Sequence, residues 1–65
     1  MRVNVMFGLS HVEEDQQNDE AQRLLAELSK KIYTESRQLK VGDTFILRDI
    51  NGNRVGVMDV MEGRP

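Results

Sequence analysis

His11 is the single histidine of the sequence, and its side chain is the one best suited to acid–base chemistry near neutral pH. Ser10 precedes it, and Glu13, Glu14 and Asp15 follow shortly after. A catalytic or metal-binding histidine normally acts with an orienting or co-ligating group, but the chain has no cysteine and no second histidine. Ser10 and Glu13 match the capping box that begins many helices. The pattern predicts a solvated loop histidine, no catalytic residue and no metal ligand.

A second group of polar side chains, over Asp49-Ile-Asn-Gly-Asn53, has the spacing of a metal-binding loop. Its aspartate and two asparagines occupy positions one, three and five of the EF-hand calcium loop, which also needs glycine at six and glutamate at twelve. Arg54 and Val60 hold those two positions here. A tight turn explains the same residues, so the sequence predicts no bound cation and no cofactor.

Acidic residues are concentrated in one part of the chain, although the net charge is only −2. No lysine or arginine lies between Val3 and Gln22, and that stretch holds these carboxylates: Glu13, Glu14, Asp15, Asp19 and Glu20. Such a stretch is usually a solvated loop and helix start, but it can also form a contact surface for a basic partner. The candidate contact residues are Glu13, Glu14 and Asp15.

The residues from Asp43 to Val60 predict a β-hairpin, around which the rest of the chain is organised. Asn51 and Gly52 suit a two-residue type I′ turn, because both central residues of that turn need positive φ. β-Branched and aromatic residues are frequent in the flanks, as they are in strands. The turn sets a register in which these pairs face each other: Phe45 and Met58, Leu47 and Gly56, Asp49 and Arg54. A four-residue loop over 50–53 would keep this register.

Side chains alternate along each strand, so the hairpin has two chemically different faces. The bulkier and less charged face is assigned to the core and consists of Phe45, Leu47, Met58 and Val60. The other face mixes charged residues with an apolar centre at Ile46, Val55 and Val57. One helix covers only one face of a small sheet, so this centre, together with Met6, is predicted to be exposed. Aliphatic residues on an open sheet often mark an interface, although scattered surface residues would look the same. Ile46, Val55 and Val57 are therefore the candidate partner-binding residues of the sheet.

The remaining elements complete a β-α-β-β order. The stretch over 2–7 alternates apolar and polar residues as a half-buried strand does. A helix is predicted over 19–37, capped by Asn18 or Asp19, because its apolar residues follow the spacing of one stripe: Ala21, Leu24, Leu25, Leu28 and Ile32. Residues 8–18 form an exposed loop or a helical turn begun by the capping box. The hairpin strands are expected over 43–50 and 53–61, and residues 62–65 form a frayed tail.

These elements predict a single α+β domain, with a three-stranded, mainly antiparallel sheet and one helix packed on one face. We expect the strand order 2-3-1, in which the first strand pairs antiparallel with the third. The close alternative is parallel pairing of the first strand with the second through a right-handed crossover.

The length of the chain limits the stability of the fold and suggests that a further contact stabilises it. A chain of 65 residues buries only about 60% of its unfolded surface and is marginally stable alone. It has no cysteine for a disulfide, so self-association is the remaining common aid, and we predict a homodimer through the mixed sheet face. No apolar run approaches the roughly 20 residues that span a bilayer, and the N-terminus lacks the apolar region of a signal peptide. These features predict a cytoplasmic protein without a membrane partner.

Three functions fit this pattern in decreasing order. The first is a non-enzymatic protein-interaction module, a regulator or inhibitor of the kind common in phages and mobile elements, which acts through its open sheet face or acidic loop. The second is a nucleic-acid-associated protein that uses the basic residues of the remainder: Arg23, Lys30, Lys31, Arg37, Lys40, Arg48 and Arg54. The pI near 5.2 and the lack of a nucleic-acid-binding pattern disfavour it. The third is a small-ligand binder or enzyme built on an oligomer.

Overall fold

The computed structural model of the protein describes residues 1–35 and 38–63. It contains strand β1 (Arg2–Phe7), helix α1 (Gln17–Glu35), strand β2 (Thr44–Arg48) and strand β3 (Arg54–Met61). A short 3-10 turn, Glu14–Gln16, runs directly into α1. The predicted α+β class and the order β-α-β-β are confirmed.

The three strands form an antiparallel sheet of order β1-β3-β2, which is the predicted order read from its other edge. β1 pairs with β3 so that Val3 lies opposite Val60 and Val5 lies opposite Met58. The crossover alternative, with β1 parallel to β2, is therefore wrong. The longest strand, β3, takes the centre, where both of its edges are paired and its Met58 and Val60 are buried.

The core lies between α1 and one face of the sheet. Its buried residues come from the helix stripe and from the predicted inward face of the hairpin: Leu24, Leu28, Phe45, Leu47, Met58 and Val60. The assignment of that hairpin face to the core is confirmed. Leu25 belongs to the predicted stripe but is 49% exposed, because one residue along a helix turns the side chain by about 100°, onto the flank of α1.

The hairpin turn differs from the predicted type I′ turn. The Gly52 amide donates to the Asp49 carbonyl over 3.0 Å, and the Asp49 amide donates to the Asn53 carbonyl over 2.8 Å. These bonds define a three-residue loop, in which a β-turn through Ile50 and Asn51 is followed by Gly52 with φ 86°. Positive φ at Gly52 is confirmed, and the two-residue turn is wrong.

The Asp49 carboxylate explains this choice of turn. Its Oδ1 accepts hydrogen bonds from the amides of Asn51 at 3.0 Å and Asn53 at 2.8 Å, and its Oδ2 accepts from Asn53 Nδ2 at 3.2 Å. An aspartate that binds the amide two residues ahead forms an Asx turn, which stabilises the loop locally. The predicted cross-strand pair of Asp49 and Arg54 does not form, because Arg48 lies opposite Arg54 instead.

The three-residue loop leaves one extra residue on β3. The pairing is the predicted one up to Leu47 and shifts before Arg48, which leaves Val55 without a partner on β2. Val55 is half-buried and packs against the core. It also lines a surface depression together with Met6 and Val57, so it borders both the core and the open face.

The helix begins two residues before the predicted position. Ser10 and Glu13 begin no α-helix; Glu13 precedes the 3-10 turn with an extended backbone and no side-chain capping bond. Because that turn leads straight into α1 at Gln17, neither Asn18 nor Asp19 caps the helix. The predicted helix end at 37 and the last two tail positions lie outside the described residues. Within the described ranges, no helix is both long enough and apolar enough to cross a membrane.

Candidate interaction surfaces

The face of the sheet opposite α1 carries a row of apolar side chains that spans its three strands. Met6 lies opposite Val57, and Val57 lies opposite Ile46. Met6 is 74% exposed, and the other two side chains are half-buried. The structure therefore brings together two of the three candidate sheet residues and places Met6 beside them. We refer to Met6, Val57 and Ile46 as the open-face row.

Polar groups border the open-face row on one side. Thr44 Oγ1 donates to Asp59 Oδ1 over 3.1 Å, and Asp59 lies opposite Asn4. Arg2 Nη2 and Asn4 Nδ2 each lie 3.7 Å from the sulfur of Met61. An apolar centre with a polar rim is the usual composition of a protein-binding surface, so this face can bury its apolar row while its rim keeps hydrogen-bond partners.

The acidic residues Glu13, Glu14 and Asp15 are exposed, but they lie apart from the open-face row. The 3-10 turn that contains Glu14 and Asp15 contacts α1, which covers the opposite face of the sheet. The acidic residues therefore belong to the loop and the start of the helix, whereas the open-face row belongs to the strands.

His11 forms a polar cluster with Glu20 and Arg23, which we refer to as the loop latch. His11 Nε2 lies 2.7 Å from Glu20 Oε2, and Arg23 Nε and Nη2 donate to the Glu20 carboxylate over 2.7 and 2.9 Å. The Glu20 side chain is only 11% exposed. His11 lies in an exposed loop, as predicted, but its ring is hydrogen-bonded to Glu20. Glu20, bound by both neighbours, is less exposed than the other acidic residues of its stretch. The latch holds the loop after β1 against the first turns of α1.

The loop latch could position a histidine for chemistry, but it lacks a reacting group. Within the described residues, His11 makes no hydrogen bond to a hydroxyl group. Over the same residues, no three histidine, aspartate or glutamate side chains are grouped to hold a metal ion. We therefore interpret the latch as a structural contact.

Hydrogen bonds inside the latch change the acidity of its members. The bond from Arg23, followed by the contact with His11, lowers the pKa of Glu20 from 4.5 to about 2. The same bond with Glu20 raises the pKa of Arg23. In the hairpin loop, the amide of Asn53 is the main cause of a lowered pKa at Asp49. Each of these carboxylates is therefore stabilised in its charged form.

We expect the latch to make the protein less stable in acid. The pKa of Glu20 is about 2 in the folded protein and 4.5 otherwise, so its contribution is present above pH 4.5 and is lost as the pH falls toward 2. Solvent screening of this partly exposed pair keeps the contribution small. Urea unfolding at neutral and at acidic pH measures the loss. Glu20→Gln should lose less stability than the wild type on acidification, whereas the control Glu14→Gln should lose as much as the wild type. The same acid sensitivity in wild type and Glu20→Gln would contradict the latch.

Two basic side chains of α1 close the outer edge of β2. Lys31 Nζ donates to the Ile46 carbonyl over 2.7 Å, and Arg23 Nη2 donates to the Arg48 carbonyl over 3.2 Å. Arg48 Nη1 in turn donates to the Gly52 carbonyl over 3.0 Å. Carbonyl groups on a sheet edge otherwise attract another strand, so these bonds protect the edge. They also engage, within the chain, three of the bases that the nucleic-acid alternative would use.

The candidate surfaces for a partner are the open-face row and the acidic loop over 13–15. Comparison with known proteins gives no further guide to them. No protein family, no curated protein and no solved structure matches this chain. Its function is therefore argued from the chemistry and geometry of these surfaces.

Proposed function

We propose that the protein is a small non-enzymatic interaction module that binds a protein partner through its open sheet face. The observation that carries this proposal is the open-face row, an apolar row on a face that α1 does not cover. Such a module can regulate or inhibit its target by occupying a surface of it, as small acidic proteins of phages and mobile elements do. The proposal places the protein in the cytoplasm, which its lack of cysteine fits.

Burial of the open-face row supplies the favourable energy of this contact. Apolar surface removed from water contributes about 25 cal/mol per Å². Met6 offers the most, because 74% of it is exposed, and Ile46 and Val57 extend the row across the other two strands. Thr44 and Asp59 are already bonded to each other, so their burial at the rim costs less than that of unpaired polar groups.

The acidic loop has a different part in this proposal. Glu13, Glu14 and Asp15 are exposed and do not belong to the open-face row, so in this proposal they steer the approach of a basic partner. Exposed charges of this kind change the association rate and its salt dependence more than they change stability.

The nucleic-acid alternative is less well supported. Arg23, Lys31 and Arg48 each donate to a backbone carbonyl of the same chain, which leaves fewer free cations for phosphate groups. The pI near 5.2 also disfavours binding to the negatively charged phosphate groups of a nucleic acid. An enzyme or small-ligand binder ranks third, because the loop latch lacks a reacting group within the described residues.

The test begins with capture of the partner by immobilised protein from an extract of cells that encode it. Binding of the purified partner is then compared between matched lysine variants. Ile46→Lys places a charge in the open-face row and should weaken binding at least about tenfold, or 1.4 kcal/mol. Tyr33→Lys is the control, because Tyr33 is 75% exposed on α1 and should tolerate the change. Circular dichroism checks that both variants are folded.

A third variant separates steering from contact. Glu13→Gln, Glu14→Gln and Asp15→Asn together should slow association at low salt and change the free energy of unfolding by less than about 0.5 kcal/mol. Equal affinities of the Ile46→Lys and Tyr33→Lys variants would contradict the sheet contact. A captured nucleic acid instead of a protein would favour the alternative.

A further inference from the structure

The edge of the sheet at β1 is open, in contrast to the edge at β2. The Val60 amide donates to the Asp43 carbonyl over 2.9 Å, and the Val60 carbonyl accepts from the Gly42 amide over 2.8 Å, so both groups point toward the β2 side. This direction alternates along a strand, and Val3 lies opposite Val60. The amides and carbonyls of Val3 and Val5 therefore point away from β3. Among the described residues, no side chain closes this edge as Lys31 and Arg23 close that of β2.

The side chains of the same residues form an uncovered apolar strip. Val3 and Val5 are 43% and 42% exposed, although their partners on β3, Val60 and Met58, are buried beneath the helix. The reason is that α1 lies nearest to β2 and leaves β1 uncovered. Leu25, which is 49% exposed, projects from the flank of α1 opposite the flank that bonds to β2. The open edge is thus bordered by apolar side chains on the helix side.

We propose that β1 pairs antiparallel with β1 of a second copy of this chain, which joins two sheets into one sheet of twice the width. Val5 then lies opposite the partner's Val5, and Val3 lies opposite the partner's Phe7. Residues paired across strands share a face, so both helices lie on one side and the two valine strips meet between them. The open faces remain uncovered on the other side. The dimer is therefore independent of the partner surface proposed above.

The pattern of charges favours a second copy in this orientation. No charged residue lies from Val3 to Phe7, so the pairing opposes no like charges within the strand. Arg2 stands at one end of β1, and the chain beyond the other end carries the acidic loop over 13–15. In antiparallel pairing, Arg2 of each copy lies beside the C-terminal end of the other copy's β1. From that end, the other chain continues toward its acidic loop. Parallel pairing would place the same ends of the two β1 strands together, so that Arg2 of one copy would lie beside Arg2 of the other.

The size of the contact sets its expected strength. Stable dimers bury ~800 Å² on each partner, which is about a sixth of the 5104 Å² surface of this chain. The contact would bury the partly exposed Val3, Val5 and Leu25 beside one strand of backbone hydrogen bonds, so we expect a dissociation constant in the micromolar range. The dimer predicted from the sequence used the mixed sheet face instead. The edge fits better, because β1 pairs on one side only and its outward amides and carbonyls are open to another strand.

Sedimentation velocity over low to high micromolar concentrations tests the pairing. The wild type should change from monomer to dimer with rising concentration. Val5→Lys places a charge on the open edge and should raise the dissociation constant at least about tenfold. Ile46→Lys, on the open face, should leave it unchanged. A monomer at every concentration would overturn the proposal. So would a dimer that survives Val5→Lys but is lost in Ile46→Lys, which would assign self-association to the open face.

A second measurement uses the wild type alone, so a folding defect in Val5→Lys cannot obscure the result. The amides of Val3 and Val5 should exchange quickly with solvent at low concentration and slowly at high concentration, because the second copy then binds them. The Asn4 amide points toward β3 and should be protected at both concentrations. Exchange of Val3 and Val5 that does not depend on concentration would overturn the pairing.

Discussion

Leu24→Ala should lower the free energy of unfolding by about 3 kcal/mol, a typical loss for a fully buried leucine. Leu24 is 0% exposed and packs in the core between α1 and the sheet. A domain of this length is stabilised by only about 3–10 kcal/mol in total, so the substitution should remove about a third or more of that stability. Urea unfolding followed by circular dichroism, at a concentration low enough to keep the protein monomeric, measures the change.

The matched control is Ile50→Ala, which removes an aliphatic side chain from the hairpin loop. Ile50 is 87% exposed, so this change should alter stability by less than about 0.5 kcal/mol. If the two variants unfold at the same urea concentration, α1 does not pack on the sheet as described.

Gly56→Ala should destabilise the protein by about 2 kcal/mol, which is within the range for overfilling a packed site. A Cβ atom at this position would lie 2.4 Å from the Met6 carbonyl oxygen and 2.4 Å from Phe7 Cβ. Both neighbours belong to β1, so the end of that strand must move away from β3. Thermal unfolding measures the loss, and amide exchange should show it first in β1.

Gly8→Ala provides the control for that substitution. A Cβ at Gly8 would meet no atom within 4 Å. Alanine in place of a glycine without strain often stabilises by reducing the freedom of the unfolded chain, so the two variants should differ in sign. Equal effects would show that β1 does not approach β3 as closely as described.

The elements and the core could be predicted because they follow from periodicity. The stripe with Leu24 and Leu28 predicted the helix, and the alternation around Phe45 and Met58 predicted the inward face of the hairpin. The turn was harder, because Asn51 and Gly52 suit more than one loop. The preceding Asp49 was a usable signal, since its side chain can bind the amides of the loop and favour the three-residue form.

The contacts between elements were beyond the reach of sequence periodicity. The spacing of Glu20 and Arg23 indicates a contact on one helix face, but the approach of His11 depends on the path of an irregular loop. The exposure of Val3 and Val5 depends on where the helix axis crosses the sheet, which hydrophobic spacing does not determine. The open-face row was largely predictable, whereas the bulge that leaves Val55 without a partner on β2 was not.

Amide chemical-shift mapping shows whether the open sheet face binds a protein partner. Isotope-labelled protein is titrated with the purified partner, and the shifts of backbone amides are followed by residue. We predict the largest changes at Met6, Ile46 and Val57, and none at Tyr33 on the outer side of α1. Changes confined to α1 or to the acidic loop, with the open-face row unaffected, would contradict the claim.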